Sequence, residues 1–309
     1  MKKLDAVVVG ELNIDLVLWD VPFPEYEKEK LARDMRFTMG SSSAITAHNL
    51  CAIGSKVGFI GKAGKDTFGE YMIQHLKNVG VDISGIITDP SLKTGATIVL
   101  ANPPRKALLT YMGAMTQLSI DDINWDLVSQ ARHLHMGCYY LQTGMIPDVP
   151  KLFETAKKYG LTTSLDTNWD PSETWHEDIY KVLKFTDLFL PNDDEAIRIA
   201  HESSLSKAIS KLKKMVKVLV IKKGKEGVTV CSDSEEFDLP GYRAEVVETT
   251  GAGDSFNAGF IHIFLRGGSL SECARYGNAC GALAVSAIGG TGAFQDHKLI
   301  KNKIDKLIH

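Results

Sequence analysis

Residues 246–260 read VVETTGAGDSFNAGF. Gly251 and Gly253 flank Ala252, Asp254 follows at once, and Phe256, Phe260 and Phe264 recur at helical spacing. A helix is therefore expected to open on a glycine turn. Its first turn offers free N–H groups and the positive end of the helix dipole. The glycines let a ligand reach the backbone with no Cβ in the way. These features together suit a phosphate. A carboxylate beside a bound phosphate is unfavourable unless it takes a proton from an incoming hydroxyl, which makes Asp254 a candidate general base. The plainer reading is that Asp254 caps a helix entered through a tight turn. TTGAGDSF by itself leaves the two readings level.

Outward from that helix, strand and helix alternate. DAVVVGEL (5–12), KVGFIGKAG (56–64), HLHMG (133–137), TTSLDTN (162–168), DLFLPN (187–192) and VLVIKKG (218–224) read as strands. ITAHNLCAIG (45–54) reads as a helix closed by Gly54, and DTFGEYMIQHLKNVG (66–80) as one capped by Asp66 and stopped by Gly80. Further helices are expected in VPKLFETAKKYG (149–160), DDEAIRIA (193–200) and LSKAISKLKKM (205–215). This order argues for an α/β fold with a mostly parallel sheet between two helical layers. Residues 16–40 and 94–113 break the rhythm. The second reads as a hairpin turning at Asn102-Pro103-Pro104-Arg105. A small separate sheet serving as a lid is the economical reading, within one domain spanning residues 1–309.

Composition narrows the function. The chain has 309 residues, 44% of them hydrophobic, with 35 Lys and Arg against 38 Asp and Glu. Nothing basic enough for a nucleic-acid groove is present. Five cysteines, at 51, 138, 231, 273 and 280, form no CxxC pair and read as reduced thiols. No apolar run reaches the ~18 residues of a membrane span, and the N-terminus reads as a strand, not a leader, so a cytoplasmic location is expected. The Gly58–Asp66 stretch fails the phosphate-loop spacing, and no GxGxxG follows the first strand. His133 and His135 alternate on a strand without a third ligand nearby, which favours a structural role. Trp19 could line the lid or pack within it.

Six segments, in order, resemble the ribokinase family, also called the PfkB carbohydrate kinases: GELNID (10–15), the GKDTFG region (64–69), LDTNWDPSETW (165–175), PNDDEA (191–196), IKKGKEG (221–227) and TTGAGDSFNAGF (249–260). The resemblance implies a ribokinase-like three-layer sandwich with a β-sheet lid, ATP as phosphoryl donor with Mg2+, and a sugar, polyol or nucleoside as acceptor. It implies Asp254 as base, with Gly251, Ala252 and Gly253 as the anion hole. Asn192, Lys222, Gly224, Gly227 and Asn278 match nucleotide-site positions, and Glu195 a Mg2+ position, directly or through water. Asp166 and Asn168 match a stretch near phosphates or metal. Asn13, Asp15, Gly40, Ser41 and Ser42 match the acceptor site, and a homodimer through the lid is implied. Each has a plainer reading: helix capping for Asn192, Glu195, Ser41 and Ser42, a strand turn for Gly224 and Gly227, and a polar turn for Asn13 and Asp15.

Two departures matter. Ser41 stands where the family has a second glycine, and Ile45 where it has a sugar-binding Asn, which implies a less polar acceptor pocket. The resemblance implies a monovalent cation, K+, held by Glu248 and Thr250; Glu248 stands where the family often has Asp, and its longer side chain is expected to disturb that site. The rival to a kinase is a non-catalytic ligand sensor on the same fold, and an intact Asp254 argues against it. An ADP donor is a further variant.

Overall fold

Val7 and Val9 pack into one apolar core, and Ala6 and Val8 into another, as the period of two in a strand requires. All four are fully buried on β1 (Leu4–Val9). A strand buried on both faces needs helices above and below it. The computed structural model, which describes residues 2–102 and 105–308, supplies them.

The strands that follow are β2 (Asn13–Trp19), β3 (Asp34–Met39), β4 (Val57–Gly64), β5 (Asp82–Asp89), β6 (Gly95–Asn102), β7 (Arg105–Tyr111), β8 (Ala131–Met136), β9 (Thr162–Leu165), β10 (Leu188–Phe189), β11 (Val218–Lys222), β12 (Val228–Ser232) and β13 (Glu236–Leu239). The helices are α1 (Ser42–Ala52), α2 (Thr67–Val79), α3 (Trp125–Ser129), α4 (Val149–Lys158), α5 (Ile179–Leu183), α6 (Asp193–Ile199), α7 (Leu205–Leu212), α8 (Ala252–Phe264), α9 (Leu270–Ala284) and α10 (His297–Ile308). Nine strands form one sheet in the order β13-β12-β11-β10-β9-β8-β1-β4-β5. It is parallel from β11 to β5, and β12 and β13 run antiparallel at one edge. Residues of α4 to α7 pack on one face, and residues of α1, α2, α8 and α9 on the other. The expected three-layer α/β fold is the one observed. Among the described residues, no helix is long and apolar enough to cross a membrane.

β1 has β8 on one side and β4 on the other, so the strand order reverses there. Open α/β sheets bind ligands at such a reversal, beyond the carboxyl ends of the strands.

The remaining strands form a second sheet, β3-β2-β6-β7. Its hairpin is β6–β7, and the expected turn includes Pro103 and Pro104, which lie outside the described residues. The sheet begins at Asn13, earlier than the boundary near residue 16 that the sequence suggests, because β2 starts almost directly after β1. Its register sorts its side chains. Thr38, Asp15, Thr97 and Thr110 form one row across the four strands, and Phe37, Leu16, Ile98 and Leu109 form the next row on the opposite face. Trp19 packs with Val17, Val99 and Ala101 and does not reach the cavity wall. The strand Asp82–Asp89 gave no clear signal in the sequence: half-buried, it shows neither a clean alternation nor a continuous apolar run.

Candidate active site

The turn at 249–253 needs its glycine. Gly251 has φ +75, and a Cβ there would lie 2.4 Å from the Cα of Gly290. α8 starts at the next residue and places Asp254 in its first turn. α1 braces this end: Asn49 Nδ2 donates to Ser255 Oγ and to the Gly290 carbonyl, each at 2.9 Å, and Ser255 Oγ donates to the Gly251 carbonyl at 2.7 Å.

Two cavities meet at this turn. One, of about 780 Å³, is lined by Gly224, Gly227, Tyr242, Val246, Asn278 and Val285 among others. The other, of about 1040 Å³, runs between the strand ends of the large sheet and the inner row of the small one. Lys222, Gly224, Thr249, Ala252 and Gly253 line both.

Asp254 lines the larger cavity and is buried. Burial pushes its carboxyl well above the usual carboxylate range, Asp166 adds to this, and Lys222 opposes it. Asp166 follows β9, and Lys222 ends β11. Lys222 Nζ lies 2.5 Å from Asp166 Oδ2 and 3.3 Å from Asn257 Oδ1, and Asn257 Nδ2 donates to the same Asp166 oxygen. Burial alone would raise the Asp166 pKa, but the Lys222 charge outweighs it and holds the group below its ordinary value. Asp166 Oδ1 is buried with no partner among the described residues.

Asn192 and Glu195 form a capping box on α6: Asn192 Oδ1 accepts from the Glu195 N–H at 2.8 Å, and Glu195 Oε2 accepts from the Asn192 N–H at 2.9 Å. Both line the larger cavity. Burial, then the Asp166 charge, push Glu195 up to about 7. No three His, Cys, Asp or Glu side chains converge as a metal cage among the described residues. A hydrated Mg2+ that draws its other ligands from phosphate needs only one or two carboxylates, and the unpartnered Asp166 Oδ1 beside Glu195 fits that requirement.

At the far end, Asn13 and Asp15 lie within β2, not in a turn past the strand end. Asn13 Nδ2 lies 3.3 Å from both Asp15 Oδ1 and Thr97 Oγ1. Burial, then Glu248, push Asp15 up to about 7. Gly40 makes room for it, since a Cβ there would sit 2.2 Å from Asp15 Oδ1. Ser41 is the N-cap of α1: its Oγ accepts from the Ala44 N–H at 2.9 Å and donates to the Glu11 carbonyl at 2.6 Å. Its φ of +70 is a glycine conformation carried by serine, at a cost of about 1–3 kcal/mol. Ser42 accepts from Asn168 Nδ2 and hydrogen-bonds Asp254, so it links two parts of the site. Ile45 touches the cavity, but it is 2% exposed and abuts Gly290, so packing uses most of it.

The remaining assignments divide. Gly227 has φ +97 and lies where a Cβ would meet the Leu239 carbonyl, so its turn is sterically fixed. Asn278 Nδ2 donates to the Pro240 carbonyl at 3.0 Å and lines the smaller cavity. Glu248 Oε2 accepts from the Gly289 N–H at 2.7 Å, and Thr250 lines the larger cavity. His133 and His135 are fully buried and share Ser164 Oγ, each at 2.7 Å. Sequence reasoning missed Glu11, whose carboxylate accepts from Ser43 Oγ at 2.5 Å and from its N–H at 3.2 Å. It also missed Thr97, Lys106, Thr110 and Asn257. The alternation in ATIVLA carried a signal for Thr97, and the i+3 spacing from Asp254 one for Asn257.

Comparison with known proteins bears on this geometry. The model of the pfkB family carbohydrate kinases matches residues 3–297. A 5-dehydro-2-deoxygluconokinase of Geobacillus thermodenitrificans is 28% identical over 93% of this chain and 88% of its own length. An ATP-dependent ribose-1-phosphate kinase of Halopiger xanaduensis is 28% identical over 92% of this chain and 93% of its own. A provisionally named ribokinase II from E. coli, solved with ATP and Mg2+, superposes with a TM-score of 0.88 at 25% identity, covering 98% of this chain and 99% of that one.

Proposed function

The chain belongs to the pfkB family of carbohydrate kinases, and on that premise we propose that it transfers the γ-phosphoryl group of ATP to a hydroxyl of a sugar, polyol or nucleoside. One observation carries this reading: the two cavities meet at the Gly251–Gly253 turn, with Asp254 buried at the junction. The nucleotide occupies the smaller cavity, along Gly224, Gly227 and Asn278. The acceptor occupies the larger one, held by Asn13, Asp15 and the Gly40–Ser42 turn.

In this mechanism Asp254 accepts the proton of the attacking hydroxyl. Its raised pKa brings its basicity closer to the working pH. The N–H groups of Gly251, Ala252 and Gly253 take up charge on the transferring group, worth a few kcal/mol of barrier. Asn192, Glu195 and Asp166 are the residues that would hold a hydrated Mg2+, which neutralises phosphate charge when bound. The small sheet acts as a lid over the acceptor. Its outer apolar row, with Ile98 and Leu109 exposed, supports a homodimer through this sheet. The balanced charge and the reduced cysteines fit the cytoplasm.

The test is ADP release with Mg-ATP across pentoses, hexoses, sugar acids, sugar phosphates, polyols and nucleosides, run beside Asp254→Asn. One acceptor raising turnover, with the rise lost in the variant, supports the reading. ATP binding without turnover on any acceptor would favour a sensor.

A further inference from the structure

Lining two cavities does not explain why Lys222 is buried. Its side chain is 12% exposed, and its partner Asp166 is 2% exposed. Burying such a pair costs several kcal/mol per ion, and well-packed apolar residues often serve stability as well or better. The cost here comes with a fixed position. Nζ is held by Asp166 at 2.5 Å and by Asn257 at 3.3 Å, and Asn257 sits one helical turn beyond Asp254. A Cβ built on Gly253 would have Lys222 Nζ as its nearest neighbour, at 3.4 Å. Among the described residues, Lys222 is the one cation that lines both cavities. The larger cavity has seven carboxylates on its wall and only two lysines, and the other, Lys106, lies on the small sheet.

We propose that Lys222 is a catalytic residue whose ammonium touches the phosphoryl group as it passes between the cavities, and that Asp166 and Asn257 are positioning residues that hold it there. This rests on the kinase reading. In the step, the bond from Pγ to the β,γ-bridging oxygen breaks and that electron pair leaves with ADP. The acceptor oxygen forms the new bond to Pγ, and its proton passes to Asp254. Charge shifts toward the bridging oxygen, between the two cavities. A compact cation fixed beside Gly253 meets the group there and needs no reorganisation as it passes. A surface lysine would first have to be ordered and desolvated.

The experiment is steady-state kinetics on the full chain with the acceptor found above, alongside calorimetric ADP binding and thermal unfolding. Lys222→Met alone strands a buried carboxylate and can fail to fold. The informative comparison is therefore the double variant Lys222→Met/Asp166→Asn against Asp166→Asn, since both lose the carboxylate assigned to Mg2+ and only the first loses the ammonium, which Asn257 still holds in the second. The kcat of the double variant is expected to lie about 10²–10³-fold below that of Asp166→Asn, with acceptor KM and the ADP Kd of the two nearly equal. Binding of ADP with aluminium fluoride and acceptor is expected to be weaker in the double variant than in Asp166→Asn. An active wild type with a double variant no slower than Asp166→Asn would overturn this proposal alone. So would a loss confined to ADP affinity and the KM for ATP. A wild type that transfers no phosphoryl group would overturn the kinase reading, and this proposal with it.

Discussion

The large and the small sheet reach the same cavity with opposite kinds of surface. The nine-stranded sheet contributes groups just beyond its strand ends, and these are pinned: Asp166 between Lys222 and Asn257, Asn192 against Glu195. Both faces of that sheet are covered. The four-stranded sheet contributes a polar inner row and leaves part of its outer row bare: Phe37 and Leu16 pack toward α2 and the core, whereas Leu109 is 56% exposed. In the proposed mechanism the chemistry, which tolerates little misplacement, falls to the element buried on two sides. Acceptor selection there falls to the element that covers the acceptor from one side. The difference predicts that changes at the strand ends act on kcat and that changes on the small sheet act on KM.

The largest effect is expected at Asp254. Asp254→Asn keeps the shape and removes the base, at a cost of about 10²–10⁴ in kcat. Burial raises the carboxyl, and the base works only when ionised. The wild-type rate should therefore climb with pH through a value above the ordinary carboxylate range, and the variant should lose that limb. A kcat that survives the substitution would break the comparison at its strongest point.

Asp15 probes the other sheet. Asp15→Asn should raise acceptor KM by about 10–100-fold, as expected for loss of a charged hydrogen bond of ~1.5–3 kcal/mol, with a smaller change in kcat. It also has a stability signature. The folded state holds the Asp15 proton up to about 7, and the unfolded chain releases it near 3.8. The stability contribution of this group is therefore greatest in acid and declines as pH rises across that window. Above it the penalty is complete, with a ceiling of about 4 kcal/mol at ~1.4 kcal/mol per unit. Asp15→Asn should thus unfold at a higher temperature than wild type at pH 8 and show little difference at pH 4. Equal pH dependence of the two melting curves would place the Asp15 carboxylate in water, outside the buried inner row.

The same contrast decides what the sequence made legible. Strands covered on both faces announce themselves as continuous apolar runs, so DAVVVGEL and VLVIKKG were readable. The glycine turn was legible because φ +75 and the approach of Gly290 leave no other residue at 251. Lys222 was legible as a motif position but not as an ion pair, because Asp166 lies 56 residues away and only the adjacency of the strand ends joins them. Thr97 and Thr110, 3.1 Å apart, follow as a pair from a hairpin turning at 102–105, but the cavity they face does not, because the fold of the whole small sheet sets it. Ser41 is a different case. The residue type offers either an acceptor-site hydroxyl or a helix cap, and the structure shows the cap together with a glycine conformation that no capping signal implies.

The outer row gives a smaller effect on activity. Leu109→Glu places a charge beside Ile98, in the row that also holds Phe37 and Leu16, away from the cavity. If this face joins two copies, sedimentation should show wild type as a dimer and the variant as a monomer, with kcat close to unchanged. A wild-type monomer would leave the bare row unexplained by self-association.

The smallest effect tests a contact between the two regions. Glu248 Oε2 is engaged by the Gly289 N–H, and a Cβ on Gly289 would lie 3.1 Å from Thr38 on the small sheet. Glu248 therefore ties the segment after α9 close to the edge of that sheet, and only one carboxylate oxygen remains for a cation. Exchanging choline chloride for KCl at constant ionic strength should change kcat little. Clear activation by K+ would give Glu248 and Thr250 a cation-binding role instead. Glu248 is also the charge that, after burial, most raises Asp15. Glu248→Gln can keep the bond to Gly289 while removing that charge. The pH at which acceptor KM changes should then move down, because a charge that opposes ionisation of Asp15 has gone. A pH that stays put or moves up would mean that the Glu248 charge does not act on Asp15, so that its effect on the small sheet comes through the Gly289 bond alone.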